Sequence, residues 1–114
     1  MSRKEGRRGG RFQLGKELLI IKSLVEAGHY HYSNKIRKFV EAGWYETVDL
    51  EVCILTATSI HKVEEDELGT ATDGKKYTIL GRDTQGQRFY TCGKIILSRN
   101  DERLYYFITA HEAE

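Results

Sequence analysis

The sequence predicts an α+β protein in which N-terminal helices pack on one face of a curved antiparallel sheet of about four strands. In the first half, apolar residues recur at three- and four-residue steps, which is the period of amphipathic helices. Over residues 76–110, apolar β-branched and aromatic residues alternate around two short turn sequences, Thr84–Gln87 and Ser98–Asp101. That spacing is typical of a three-stranded antiparallel meander, since a helix would scatter the same apolar residues around its axis.

Three helices and a short extended piece are predicted before the meander. The first helix begins at about residue 14 and ends before Gly28, and the alternating aromatic residues of His29–Tyr32 favour an extended backbone. Ser33 is expected to cap the second helix. The stretch after Thr47 alternates like a strand, but its apolar residues also fit helical spacing. A third helix with Thr47 as its cap is therefore favoured.

A strand is expected over about residues 59–63, ahead of the acidic run Glu64–Glu67. This run lacks the alternating ligands and the glycine of a calcium loop, so we interpret it as a solvated loop rather than a cation site. Cys53 and Cys92 do not form a CxxC pair and are interpreted as buried thiols. The histidines and cysteines show no zinc signature, and no metal or other cofactor is expected.

Length and composition indicate a single soluble domain. The chain has 114 residues, of which 39% are hydrophobic and 31% are charged. No apolar run approaches the roughly 18 residues that cross a bilayer, and no export signal is recognisable. A cytoplasmic location without membrane contact is therefore expected.

Positive charge is concentrated at the N-terminus. The first 16 residues hold six basic side chains against Glu5 alone, a balance of +5, whereas the rest of the chain has 12 basic and 16 acidic side chains, a balance of −4. We therefore interpret residues 1–13 as a basic, disordered arm and residues 14–114 as one α+β domain. The arm either attracts nucleic acid non-specifically or only aids solubility, and the second interpretation is favoured.

Four short segments, HYHYSNK, YTILGR, GKII and FITAH, occur in this order between residues 29 and 112. Their order and spacing resemble a family of small bacterial domains related to the RelE- and BrnT-like toxins of toxin–antitoxin systems. The resemblance implies helices on a curved antiparallel sheet and an endoribonuclease that cleaves mRNA, with or without the ribosome. It also implies a small zinc-ribbon antitoxin as the protein partner.

The chain departs from this family at two positions. Many relatives place a histidine two residues after the serine of the first segment and an arginine four residues after that histidine, where this chain has Lys35 and Phe39. If those groups are catalytic in the relatives, this chain either places the chemistry elsewhere or lacks it. His29 and His31 lie before the serine of the first segment and Arg37 is nearby, so these neighbours are the candidates to take over the missing roles.

The meander carries a set of cationic and titratable residues, namely Arg82, Arg88, Lys94 and His111. Metal-free RNA cleavage needs a base for the 2′-hydroxyl proton, an acid for the departing 5′-oxygen and cations for the phosphate charge. Histidine suits the first two roles and arginine suits the third. We therefore predict His31, Arg82 and His111 as catalytic residues, with Arg82 and His111 on one concave face and His31 at its helix-side rim.

Lys35, Arg88 and Tyr90 are the predicted RNA-binding residues. Arg88 and Tyr90 are two residues apart on one strand, so their side chains share a face that is suited to phosphate contact and base stacking. If Thr84–Gln87 is a four-residue connection, Asp83 lies opposite Arg88 in the hairpin.

Each of these residues also has an ordinary structural explanation, because histidines in aromatic runs are commonly packed and arginines beside turns are commonly solvated. Two function classes therefore remain open. The resemblance and the cationic strands favour a toxin-like endoribonuclease. The missing histidine and the acidic body favour a non-catalytic protein-interaction module of the same fold.

Overall fold

The computed structural model describes residues 15–113, so the predicted arm over residues 1–13 lies outside the described residues. Three helices and five strands follow one another in these residues. In chain order they are α1 (15–26), β1 (Tyr30–Tyr32), α2 (Asn34–Glu41), α3 (Thr47–Thr56), β2 (Ile60–Glu65), β3 (Lys75–Arg82), β4 (Arg88–Leu97) and β5 (Arg103–Glu112). None of these helices is long and apolar enough to cross a membrane.

The five strands form one mixed sheet in the order β1-β5-β4-β3-β2. The predicted α+β class and the antiparallel meander of β3, β4 and β5 are confirmed. The expected number of about four strands is wrong, because the extended piece at Tyr30–Tyr32 joins the sheet as a fifth strand. It pairs in parallel with Tyr105–Phe107, and the Tyr105 amide donates to the His29 carbonyl at 3.0 Å.

Hydrogen bonds at the N-terminal ends of α2 and α3 determine the residues at which these helices begin. Ser33 caps α2 as predicted, since its Oγ accepts a hydrogen bond from the Ile36 amide at 3.2 Å. The third helix is also confirmed, but its cap is Glu46 rather than Thr47. The Asp49 carboxylate accepts from the Glu46 amide at 2.8 Å and closes a capping box, which fixes the start one residue earlier than the Thr47 hydroxyl would.

The helices and one face of the sheet enclose the hydrophobic core. The largest buried side chains on the sheet are Tyr77, Phe89, Tyr105 and Phe107. α3 lies directly on β3 at Gly81, where an added Cβ would fall 1.9 Å from the Cys53 carbonyl oxygen. A side chain at this position would push the helix off the sheet, so the glycine sets the close approach of the two layers.

The two cysteines differ in environment, so the prediction of two buried thiols holds for only one of them. Cys53 on α3 is fully buried, whereas Cys92 on β4 is half-buried, and neither forms a disulfide. Burial raises the pKa of the Cys53 thiol to about 11, which keeps it protonated at neutral pH.

Candidate functional site

The β3–β4 hairpin determines which residues face each other at its end. The Asp83 amide donates to the Gln87 carbonyl at 2.8 Å, and Gly86 adopts a φ of 81°. The loop is therefore Thr84–Gly86 and not Thr84–Gln87, because a left-handed glycine closes the hairpin one residue earlier. The prediction that Asp83 lies opposite Arg88 is wrong.

Arg82 and Arg88 are direct cross-strand partners as a result. Both side chains are exposed, and the Arg82 Nη1 donates to the Gly86 carbonyl at 3.3 Å. Like charges that face each other across two strands destabilise a sheet. The pair concentrates positive charge at the end of the hairpin, which is an arrangement suited to a bound anion.

Tyr90 and His111 form the neighbouring cross-strand pair on the same face as Arg88. Their ring centroids are 4.1 Å apart with the planes at 61°. The His111 Nδ1 lies 3.1 Å from the Glu112 carbonyl oxygen, which can only accept a hydrogen bond. In the neutral ring Nδ1 therefore carries the proton, and Nε2 keeps the lone pair that a general base needs.

A groove of about 400 Å³ runs over this face of the sheet. It is lined by His61, Lys62, Thr78, Leu80, Arg88, Tyr90 and Ala113. As far as residues 15–113 are concerned, the lining includes basic and aromatic side chains and no carboxylate. Lys62 also lies 3.5 Å from the Glu64 carboxylate, but both side chains are about half exposed, so solvent weakens this pair.

His61 is a groove residue that sequence reasoning missed. It lies in β2, where the pairing with β3 shifts between Ile60 and Lys62. An irregularity of this kind re-aims side chains and cannot be read from alternation. The only available signal was a histidine inside the strand predicted next to the meander.

His31 and Lys35 are not brought to this groove. His31 is exposed on β1 and lies beside Tyr106, which is five residues before His111 along β5. At the rise of a β-strand, this separates the two histidines by about 15 Å. Lys35 is exposed on α2, next to Ile36, which packs into the core on the helix side.

Lys94, which the sequence groups with the cationic residues of the meander, does not contribute to the groove because it forms a buried ion pair. Its Nζ lies 3.1 Å from the Asp66 Oδ1, and the two side chains are 5% and 1% exposed. The other Asp66 oxygen accepts from the amides of Thr70 and Ala71. Burial alone would raise the pKa of Asp66, but these hydrogen bonds and Lys94 hold it below its usual range. The interpretation of Asp66 as part of a solvated loop is wrong.

An aromatic pocket of about 290 Å³ adjoins the groove at the edge of β5. It is lined by Phe39, Trp44, Tyr45, Ala110, His111 and Glu112. Trp44, the only tryptophan in the chain, is 71% exposed. His111 links the two features, because it lines the pocket and its ring packs against Tyr90, which lines the groove.

Within residues 15–113, no three His, Cys, Asp or Glu side chains come close enough together to hold a metal ion. Comparisons of the chain with protein-family models, curated proteins and solved structures find no match in any of the three. The candidate site therefore rests on the geometry of the sheet face.

Proposed function

We propose that this protein is a metal-independent endoribonuclease of the toxin type, with its site at Arg88, Tyr90 and His111. The observation that carries the proposal is that two cross-strand pairs lie next to each other on one face of the sheet. The Arg82–Arg88 pair supplies positive charge for a phosphate, and the neighbouring Tyr90–His111 pair supplies a base.

The chemistry uses the RNA's own 2′-hydroxyl as nucleophile. The His111 Nε2 takes the proton of the 2′-hydroxyl, the 2′-oxygen bonds to phosphorus, and the bond from phosphorus to the 5′-oxygen breaks. Water in the open groove gives a proton to the departing 5′-oxygen, and the products are a 2′,3′-cyclic phosphate and a 5′-hydroxyl. The Arg88 guanidinium, with Arg82 opposite it, stabilises the additional charge on the phosphate.

The sequence resemblance to RelE- and BrnT-like toxins is the second support. It implies mRNA, free or on the ribosome, as the substrate and a small zinc-ribbon antitoxin as the partner. The arrangement of helices on one face of the sheet agrees with the fold that this resemblance implies. His31 and Lys35 have no role in the proposed site, because both lie away from the groove.

The second candidate function is a non-catalytic interaction module. The edge of β5 favours it, since within residues 15–113 no strand pairs with β5 on its outer side beyond Phe107. An open strand edge can accept an extended segment of another protein. This module would bind its partner without cleaving RNA.

Cleavage of single-stranded RNA in the presence of EDTA tests the proposal. We expect products with 2′,3′-cyclic phosphate ends. His111→Gln should lower the cleavage rate by roughly a hundredfold or more, and Arg88→Gln by a similar factor. His31→Gln and Arg99→Gln are the matched controls, because both side chains are exposed away from the groove and should leave the rate unchanged.

Three results would contradict the proposal. Full activity of His111→Gln would remove the assigned base, and a loss confined to His31→Gln would move the site to β1. If the wild-type chain cleaves no RNA but still binds a protein partner, the interaction module is the correct function.

A further inference from the structure

We infer that the pocket between Phe39, Trp44 and His111 binds an unpaired nucleobase of single-stranded RNA whose phosphates lie along the groove. The inference rests on the proposed function and adds the position of a base to it. Half of the residues that line this pocket come from the helix layer and half from the end of β5, whereas the groove belongs to the opposite sheet face.

The pocket has the shape and chemistry of a stacking site. Phe39 is 38% exposed and lies almost parallel to Tyr45, with ring centroids 6.0 Å apart and the planes at 22°. Tyr45 is itself buried against Phe89 at 5.3 Å, so the floor of the pocket is anchored in the core. Trp44 stands edge-on to Phe39 at 6.5 Å and leaves most of its surface to solvent.

The size favours one planar ring system. Its volume of about 290 Å³ is at the lower end of small-ligand sites, which span roughly 300–1,000 Å³. Aromatic side chains bind bases through their faces, and this stacking tolerates any base.

The position of the pocket connects it to the phosphate groove. Beyond Phe107 the outer edge of β5 has no paired strand in residues 15–113, so the helix side and the groove side of the sheet meet there. His111 lies at the junction, with its ring against Tyr90. A nucleotide with its base beside Trp44 therefore places its phosphate next to His111, on the side from which the groove lined by Arg88 begins.

Charge selects RNA over an apolar peptide as the occupant. The groove beyond the pocket is lined by His61, Lys62 and Arg88, and none of its lining residues within 15–113 is a carboxylate. Among the described residues, Glu112 is the single carboxylate that lines the pocket, and an ionised carboxylate only accepts hydrogen bonds. An exocyclic amine, as in adenine, fits this acceptor better than the carbonyl oxygens of uracil.

The test uses Trp44 as a built-in probe, because it is the only tryptophan in the sequence and it lines this pocket. The full chain is titrated with a 2′-O-methyl oligo(A), which cannot be cleaved. A 2′-O-methyl oligo(U) and inorganic polyphosphate serve as comparison probes. We expect saturable quenching by oligo(A), weaker quenching by oligo(U), and no change of emission with polyphosphate, which binds the groove but has no base.

Variants separate stacking from folding. Phe39→Leu should weaken oligo(A) binding by roughly tenfold and leave polyphosphate binding unchanged. Phe39→Tyr keeps an aromatic face and should bind like the wild type. Leu97→Ala is the matched control, since Leu97 is an exposed apolar residue at the far end of β4.

Each outcome decides a separate point. Binding and cleavage of RNA without any change in Trp44 emission would overturn the base pocket and leave the proposed function intact. Quenching by oligo(A) without cleavage of the unmodified RNA would support the pocket and remove the catalytic step. An emission shift that depends only on protein concentration, with a dimer in sedimentation velocity, would assign the pocket to a second copy and overturn the inference. If neither oligonucleotide binds, both proposals fail.

Discussion

At the scale of single residues, Asp49 shows how one buried carboxylate positions the candidate site. It is 7% exposed and belongs to the first turn of α3. One oxygen accepts from the Thr84 amide at 2.9 Å and from the Thr84 hydroxyl at 2.8 Å, while the other accepts from the Glu46 amide. Asp49 thus ties the helix to the loop that holds Arg82 and Arg88 opposite each other.

Asp49→Asn should lower the free energy of unfolding by about 2 kcal/mol at neutral pH, because the hydrogen bonds lose their charged acceptor. Burial alone would raise the pKa of Asp49, but the hydrogen bonds from Glu46 and Thr84 outweigh it and hold the pKa below its usual range. A lowered pKa stabilises the fold above the unfolded value of about 3.9, and this contribution is lost as the pH falls through the folded pKa.

Urea unfolding between pH 7 and pH 2 measures this contribution. The wild type should lose stability at the acidic end, and the difference between wild type and Asp49→Asn should shrink there. Glu67→Gln is the control, because Glu67 is exposed in the loop between β2 and β3. This change should have little effect on the free energy of unfolding at any pH. An equal difference at every pH would show that Asp49 acts through packing and not through its charge.

At the scale of elements, the two hairpins of the meander use the same loop geometry. The Ser98 amide donates to the Glu102 carbonyl at 2.8 Å, as Asp83 does to Gln87, and Asp101 takes the left-handed position with a φ of 60°. In the first hairpin this position is Gly86. The loops therefore differ mainly in which residue takes the left-handed backbone.

Gly86→Ala should lower the free energy of unfolding by about 1 kcal/mol, because a Cβ disfavours the left-handed backbone. It should also weaken RNA binding, since the Gly86 carbonyl holds the Arg82 guanidinium. Thermal unfolding and binding to 2′-O-methyl oligo(A) measure the two effects. Gln85→Ala in the same loop is the control, and equal effects of the two changes would mean that the left-handed backbone is not the cause.

The sequence predicts correctly those elements that are defined by the spacing of apolar residues close together in the chain. The helices and the meander follow from periods of three to four and two residues, and Ser33 marks a helix start by its own chemistry. Pairing between distant residues is not encoded locally. The parallel contact of Tyr30–Tyr32 with β5 and the Lys94–Asp66 pair became visible only in three dimensions.

The same limit applies to the candidate site. Arg88 and Tyr90 share a face because they are two residues apart on one strand, which alternation predicts. The contact of Tyr90 with His111 depends on the register of β4 with β5, where the pairing shifts by one residue after Cys92. Only the chemistry of its side chain groups His31 with these residues. In the sheet His31 lies beside Tyr106, away from the Tyr90–His111 pair.

At the scale of the whole molecule, the charge distribution bears on how the proposed RNA ligand would be held. The chain has a net charge of +1, with the excess of positive charge in its first 16 residues. Two sources of phosphate binding therefore compete, the N-terminal basic residues and the groove. The dependence of binding on salt separates them, because each phosphate contact releases counterions.

Arg88→Gln should reduce the slope of log binding constant against log salt by about 0.7 for a single-stranded oligonucleotide. Arg99→Gln should leave the slope unchanged, because Arg99 is exposed in the other hairpin. Titrations with 2′-O-methyl oligo(A) at several salt concentrations measure the slope. If only the double change Arg7→Gln and Arg8→Gln reduces it, the N-terminal residues hold the phosphates and the groove does not.

The parallel pairing of β1 with β5 has a consequence for the order in which the molecule becomes complete. β5 is synthesised after every other element of the sheet, yet β1, one of the earliest elements, has no strand partner until β5 emerges. A chain halted on the ribosome before residue 103 lacks both that partner and His111. If the protein is a ribonuclease, its synthesis therefore releases no active fragment, and cleavage begins only after the last strand has been translated and has docked between β4 and β1.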